Sequence, residues 1–334
     1  MTSEDRRRQI FAQPGALKEV YVPEDHLIDG HAIVRGPDGW HVFYELIEKA
    51  SIKKGSHGPV PTMAHATSDD LLTWTTQEPV LRNGGPGEWD EVEVGVCSVV
   101  EHDGRWYMVY NGRPAHPGSR RIGMAVSDDL WHWTKVPGDG SPVLIPSQTW
   151  SAWKEEGLIG FGPKDPWIIH HEDRFIIYYS CNNKRNEPSI AVASSTDGIH
   201  WQDDGPILSG PRVARSLVSP PGFECPRVVK RDGKFYLFVM HFWGFQYAIG
   251  DDPYHFGPWR VLGPFNGAVI FNDEERWYIT HAYYPFGKRA FFGAKRGPFR
   301  GLYIGGLVWD AGLPVPTDLR DVMEDWPQER DESG

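Results

Sequence analysis

The chain has 334 residues, 40% of them hydrophobic and 24% charged, and its formal net charge is −11. That acidity excludes nucleic acid as the expected partner, because phosphate binding needs a basic face. No run approaches the ~20 apolar residues of a membrane span, so no membrane partner is expected either.

The polar stretch Met1 to Gln13 has no apolar centre and is not a secretory signal. A cytoplasmic protein is the default, although a chain already relieved of its signal would read the same. The cysteines are Cys97, Cys181 and Cys225. An odd count without paired spacing gives neither a disulfide framework nor a zinc signature. No metal and no cofactor is expected. Aromatic residues make up 13% of the chain, with 37 Gly and 28 Pro, which favours short strands over long helices.

After a loose polar arm, Leu17 to Val22 reads as a strand. A repeated unit then begins: an acid, an apolar strand, an acidic turn and an aromatic strand. Its first copy runs from Asp29 through Ile33-Val34, turns at Asp38-Gly39 and continues Trp40 to Tyr44. Met63 to Ser68 is its third strand, and Trp74-Thr75 lies in the fourth. The second copy has Val94 to Val100, the turn Asp103-Gly104, Arg105 to Asn111, Ile122 to Ser127 and Trp133-Thr134. A third copy starts at Lys164-Asp165-Pro166, turns at Glu172-Asp173 and runs to Trp201. The fourth starts at Glu224-Cys225-Pro226, turns at Asp232-Gly233 and runs to Trp259. In the fifth, Asn266 to Phe271 is followed by a turn at Asn272-Asp273 and by Arg276 to Thr280. Arg289 to Ala294 reads as its third strand, and Gly306 to Trp309 as its closing one.

Repeats of this length, each supplying four short strands, fit propeller blades. One four-stranded sheet cannot cover both of its faces, so blades stack radially and aromatics fill the gaps. The expected fold is all-β: a five-bladed β-propeller forming a single domain over residues 1–334, with blades over about 17–320. Glu48 to Pro61 and Gly138 to Leu158 would be rim loops.

The first strands of a propeller line a central channel. Asp29, Asp165 and Glu224 each stand eight or nine residues ahead of their turns, so they are expected to converge at one end of it. An acid before Pro or Gly is also a turn former. Converged carboxylates repel unless they are protonated, paired or used in chemistry. Two carboxyls with separated proton affinities are the equipment of glycoside hydrolysis.

Phe223-Glu224-Cys225-Pro226 resembles the Glu-Cys-Pro motif of glycoside hydrolase family 32, the invertase and fructanase family. Lys164-Asp165-Pro166 resembles that family's Arg-Asp-Pro. Asp29, with Phe43-Tyr44 downstream, resembles the Asp of its Asn-Asp-Pro-Asn-Gly motif. The resemblance implies a glycosidase with a small sugar substrate, Asp29 as nucleophile, Glu224 as general acid/base and Asp165 on the sugar hydroxyls. A fructosyl or arabinosyl furanoside is the expected substrate and retention the expected outcome. Related family 43 has the same fold and an acid trio, and there the Asp29 equivalent acts as a base on water and the reaction inverts. A carbohydrate-binding propeller without catalysis is the alternative outside enzymes. Two departures stand out: Leu27, Gly30 and His31 replace the surroundings of the first Asp, and Lys164 replaces Arg.

Further candidates to contact the sugar are Lys164, His31, Glu93, Trp167, Arg113, Tyr283 and His281. Trp243 and Phe161 are others that could stack on a sugar face. Arg113, Arg120 and Arg121 read as a solvated loop in the second unit, with sugar or phosphate binding as the sharper alternative. For the aromatics, packing between blades competes with stacking on sugar. The sequence sets no oligomeric state.

Overall fold

A computed structural model describes residues 17–48, 60–115, 118–156, 162–210, 223–241, 244–263, 265, 267–273, 276–281 and 301–323. Strand β1 (Lys18–Tyr21) precedes the repeats. Blade one is β2 (His26–Gly36), β3 (Gly39–Glu48), β4 (Thr62–Ser68) and β5 (Thr75–Arg82). Blade two is β6 (Glu93–His102), β7 (Arg105–Arg113), β8 (Arg121–Ser127) and β9 (Thr134–Val136). Blade three is β10 (Lys164–His171), β11 (Arg174–Asn182), β12 (Pro188–Ser195) and β13 (Gln202–Ser209). Blade four is β14 (Glu224–Arg231), β15 (Lys234–His241), β16 (Gly244–Gly250) and β17 (Arg260–Gly263). Each is an antiparallel meander. The first strands of neighbouring blades touch one another around the ring. The fold is a five-bladed β-propeller.

Blade five holds β18 (Ile270–Asp273), β19 (Arg276–His281), β20 (Leu302–Asp310) and β21 (Leu313–Thr317). Its outer position is shared. Strand β21 pairs with the second half of β20, and β1 pairs with its start, Lys18 opposite Ile304. The N-terminal strand thus closes the ring. Tyr21 fixes that closure, its hydroxyl lying 2.9 Å from the Tyr44 hydroxyl and 2.7 Å from Thr76 Oγ1.

Two expectations about this blade change. Gly306 to Trp309 lies in its third strand, not its closing one, because β20 pairs directly with β19. Asn272 and Asp273 belong to β18, since Asp273 pairs with Arg276. Arg289 to Ala294 lies outside the described residues.

The buried apolar side chains fall into clusters that each fill one seam between blades. Trp40, Tyr44, Phe271 and Tyr278 join blades five and one. Phe43, Met63, Met108 and Tyr110 join one and two. Val109, Ile122, Phe175 and Ile177 join two and three. Tyr178, Val192, Phe235 and Leu237 join three and four. Tyr236, Phe238, Ile270 and Ile279 join four and five. The core is therefore a ring of aromatic layers rather than one centre, as stacked sheets require.

The tryptophans before the fourth strands have a common structural task. In three blades the indole N–H donates to a backbone carbonyl three residues back: Trp74 to Leu71, Trp133 to Leu130 and Trp201 to Gly198. Asp70, Asp129 and Asp197 cap the same turns by accepting two backbone N–H bonds each. No helix among the described residues is long and apolar enough to cross a membrane.

Candidate active site

The first strands of four blades carry a β-bulge at the same level. Two residues there oppose one on the second strand: Asp29-Gly30 against Glu45, Gly95-Val96 against Asn111, Asp165-Pro166 against Tyr179, and Cys225-Pro226 against Val239. A bulge re-aims side chains at the rim of a sheet. Asp165 and Cys225 adopt left-handed backbone, at φ 56° and 53°. Such conformations in non-glycine residues cost on the order of 1–2 kcal/mol and must be held by their surroundings.

Neighbouring bulges hold each other. A Cβ on Gly30 would lie 2.5 Å from a methyl carbon of Val96, so blade one needs glycine there. Across the next seam but one, the Cys225 N–H donates to Asp165 Oδ2 at 3.2 Å. One residue earlier, Lys164 and Glu224 form an ion pair between the same two blades.

This register corrects the sequence phase. His171 pairs with Arg174 and Arg231 with Lys234, which makes Glu224 equivalent to Lys164 and Cys225 equivalent to Asp165. Asp29 and Asp165 are in phase, and Glu224 stands one residue ahead of them. The cause lies in the turns: Glu172, not Asp173, matches Asp232, and the two share left-handed φ of 55° and 49°.

The acids are nonetheless linked. Asp29 and Asp165 both act electrostatically on Glu45, a buried carboxyl of β3. Asp165 also acts on Lys164, the partner of Glu224. Burial alone would lower the Lys164 pKa, but Glu224 and Asp165 outweigh it and raise it. Lys164 is therefore charged where it pairs with Glu224. The Cys225 thiol is pushed well up by burial and by Asp165, so it is no nucleophile.

Glu93, buried at the start of β6, is clamped by two arginines. It accepts from Arg113 Nε at 2.9 Å and from Arg120 Nε at 2.6 Å and Nη2 at 3.1 Å. Burial would raise its pKa, but Arg120 and then Arg113 hold it below the ordinary range. The expectation of a solvated loop for these arginines is overturned: Arg113 and Arg120 are mostly buried against Glu93, and Arg121 pairs with Glu155.

His31 is fully buried beneath the Asp29 bulge, its Nε2 2.6 Å from Thr280 Oγ1 of blade five. Burial and then the Arg227 charge lower its pKa to about 3, so it is neutral. Trp167 donates its indole N–H to the Val228 carbonyl, and the Arg227 guanidinium lies 5.1 Å from its ring centroid. Its ring is thus engaged in the seam between blades three and four. His281 is buried at the end of β19, with the Phe265 and Tyr303 rings 6.4 Å away. Tyr283, Trp243, Phe161 and Asn266 lie outside the described residues. Among the described residues, no group of three or more His, Cys, Asp or Glu is placed to hold a metal ion.

Sequence reasoning missed Glu45 and Arg227. An acid interrupting the apolar run Trp40 to Ile47 was the available signal for Glu45. The fully buried Arg227, which donates to its neighbour Pro226's carbonyl, gave none.

Residues 22–260 match the family model described as the glycosyl hydrolases family 32 N-terminal domain. A protein of Psychromonas ingrahamii, described as a probable sucrose-6-phosphate hydrolase, is 23% identical over 214 residues. The match covers 60% of this chain but only 35% of that protein, so the chain spans about a third of its length. Among solved structures, a thermostable family 43 glycoside hydrolase superposes with a TM-score of 0.65 at 16% identity, covering 88% of this chain and 94% of that one. The Bombyx mori family 32 β-fructofuranosidase superposes with a TM-score of 0.66 at 15% identity, covering 95% of this chain and 68% of that one.

Proposed function

From the premise that the chain belongs to glycosyl hydrolase family 32, and is a glycosidase, we propose that it cleaves a small furanoside, fructosyl or arabinosyl, with retention. In this reading Asp29 attacks the anomeric carbon while Glu224 gives its proton to the departing oxygen. The glycosidic C–O bond breaks and a glycosyl ester forms on Asp29. Glu224, now ionised, takes a proton from water, which attacks the ester and frees Asp29. Asp165, whose Oδ2 is fixed by the Cys225 N–H, is set to accept sugar hydroxyls.

The observation that carries the reading is the linked row of bulges, with Asp29 and Asp165 in phase and Lys164 joining Asp165 to Glu224. Lys164 holds the Glu224 carboxyl in place through their ion pair. The furanoside class follows the names of the relatives, one described as a probable sucrose-6-phosphate hydrolase and one as a β-fructofuranosidase.

The test is a screen of sucrose, fructo-oligosaccharides and aryl arabinofuranosides with the wild type, Asp29→Asn and Glu224→Gln. The wild type should cleave at least one furanoside, and each variant should lose about 10²–10⁴-fold in rate. Cleavage of pyranosides alone, or a Glu224→Gln enzyme as fast as the wild type, would overturn it.

A further inference from the structure

Glu45 stands on β3 directly opposite the Asp29-Gly30 bulge and is 6% exposed. Its carboxyl occupies the space in front of Gly95: a Cβ built there would lie 3.2 Å from Glu45 Cδ and from Oε1. The charged groups that bear on it are Asp29 of β2, Glu93 of β6, Arg120 just ahead of β8 and Asp165 of β10. The buried Cys97 thiol of β6 is also near, and burial pushes it up to about 12, so it stays neutral.

The arginines at this end of the channel are committed elsewhere. Arg113 and Arg120 both bind Glu93, and among the described residues no ion pair reaches Glu45. Carboxyls gathered in a dry space cannot all ionise, because desolvation and mutual repulsion both oppose it. Glu45 is buried and, among the described residues, forms no ion pair, whereas Asp29 is only half-buried, so Glu45 keeps its proton even against the Arg120 charge.

We propose that Glu45 is a positioning residue for the glycosidase reaction, a neutral carboxylic acid that steadies the Asp29 carboxylate at the bulge. This rests on the reading above, in which Asp29 is the working carboxylate. A neutral acid can donate a hydrogen bond to a neighbouring carboxylate, and such charge-assisted bonds are short and strong. A second carboxylate in the same place would instead raise the proton affinity of Asp29 and blunt its attack. Burial first and Asp29 second push the Glu45 pKa up to about 8, so the proton is held at neutral pH.

The direct test needs no substrate. An infrared difference spectrum, wild type minus Glu45→Gln, should contain a protonated-carboxyl stretch at pH 6 that is replaced by carboxylate bands by about pH 10. Kinetics on the best furanoside then separate positioning from packing. Glu45→Gln, which keeps a neutral donor, should retain activity within about tenfold and leave the acid limb of kcat/KM in place. Glu45→Ala should lose about 10–100-fold in kcat with little change in KM. Three results would overturn the proposal: no protonated-carboxyl band, an acid limb in Glu45→Gln that moves down by about one pH unit or more, or full activity in Glu45→Ala. The first two outcomes would mean that Glu45 is ionised in the wild type. An inactive wild type would instead indict the furanosidase reading, while the infrared result would still stand.

Discussion

Lys164 and Glu224 occupy equivalent places in adjacent blades, at the first residues of β10 and β14, and they form an ion pair across the seam. The pair is mostly shielded from water, with side chains 22% and 19% exposed, so removing one partner leaves the other uncompensated. Lys164→Met should therefore destabilise the protein by about 1–3 kcal/mol. Urea melts check this, and an unchanged midpoint would mean that the pair contributes nothing to the fold.

Gly30 is fixed by the bulge of the next blade, since Val96 fills the place where a Cβ would go. Gly30→Ala should destabilise the protein by about 1–3 kcal/mol through overpacking. Val96→Ala alone should cost less, and the double variant should recover part of the loss, because touching residues couple. Urea melts of the four proteins measure that coupling.

Much of the architecture was legible because its signals are local. Acidic turns, aromatic second strands and the Trp that ends the third-to-fourth turn of the first four blades recur in order, and each maps to a blade. Ring closure was not, because Lys18–Tyr21 pairs with Leu302 to Ile304 almost a full chain length away. Asp29, Asp165 and Glu224 could be picked out by chemistry, but their relative phase could not. Counting back from Asp173 and Asp232 hid the fact that these residues hold different places in their turns. Glu45 escaped because it lies on a second strand, and only the bulge opposite brings it to Asp29. The arginines escaped because their burial comes from Glu93, not from their own apolar surroundings.

The raised pKa of Glu45 has a stability consequence whose sign is fixed. In the unfolded chain the carboxyl ionises above its ordinary value of 4.5, whereas in the fold it ionises only above about 8. Between those values the unfolded state gives up the proton and the fold does not, so this group costs stability as pH rises and the cost levels off above about 8. Gln does not titrate. Glu45→Gln should match the wild type near pH 4 and exceed it by on the order of a few kcal/mol at pH 8. Denaturant unfolding across that range is the check, and a gap that does not grow with pH would contradict the assignment.

Direct attack by Asp29, with Glu224 as its acid/base partner, leaves a stereochemical record. Proton NMR of the sugar first released from the best furanoside substrate reads that record before mutarotation scrambles the anomers. The product should keep the anomeric configuration of the substrate, because two displacements occur at the same carbon. Release of the opposite anomer would contradict it, removing the ester on Asp29 and making Asp29 a base that directs water.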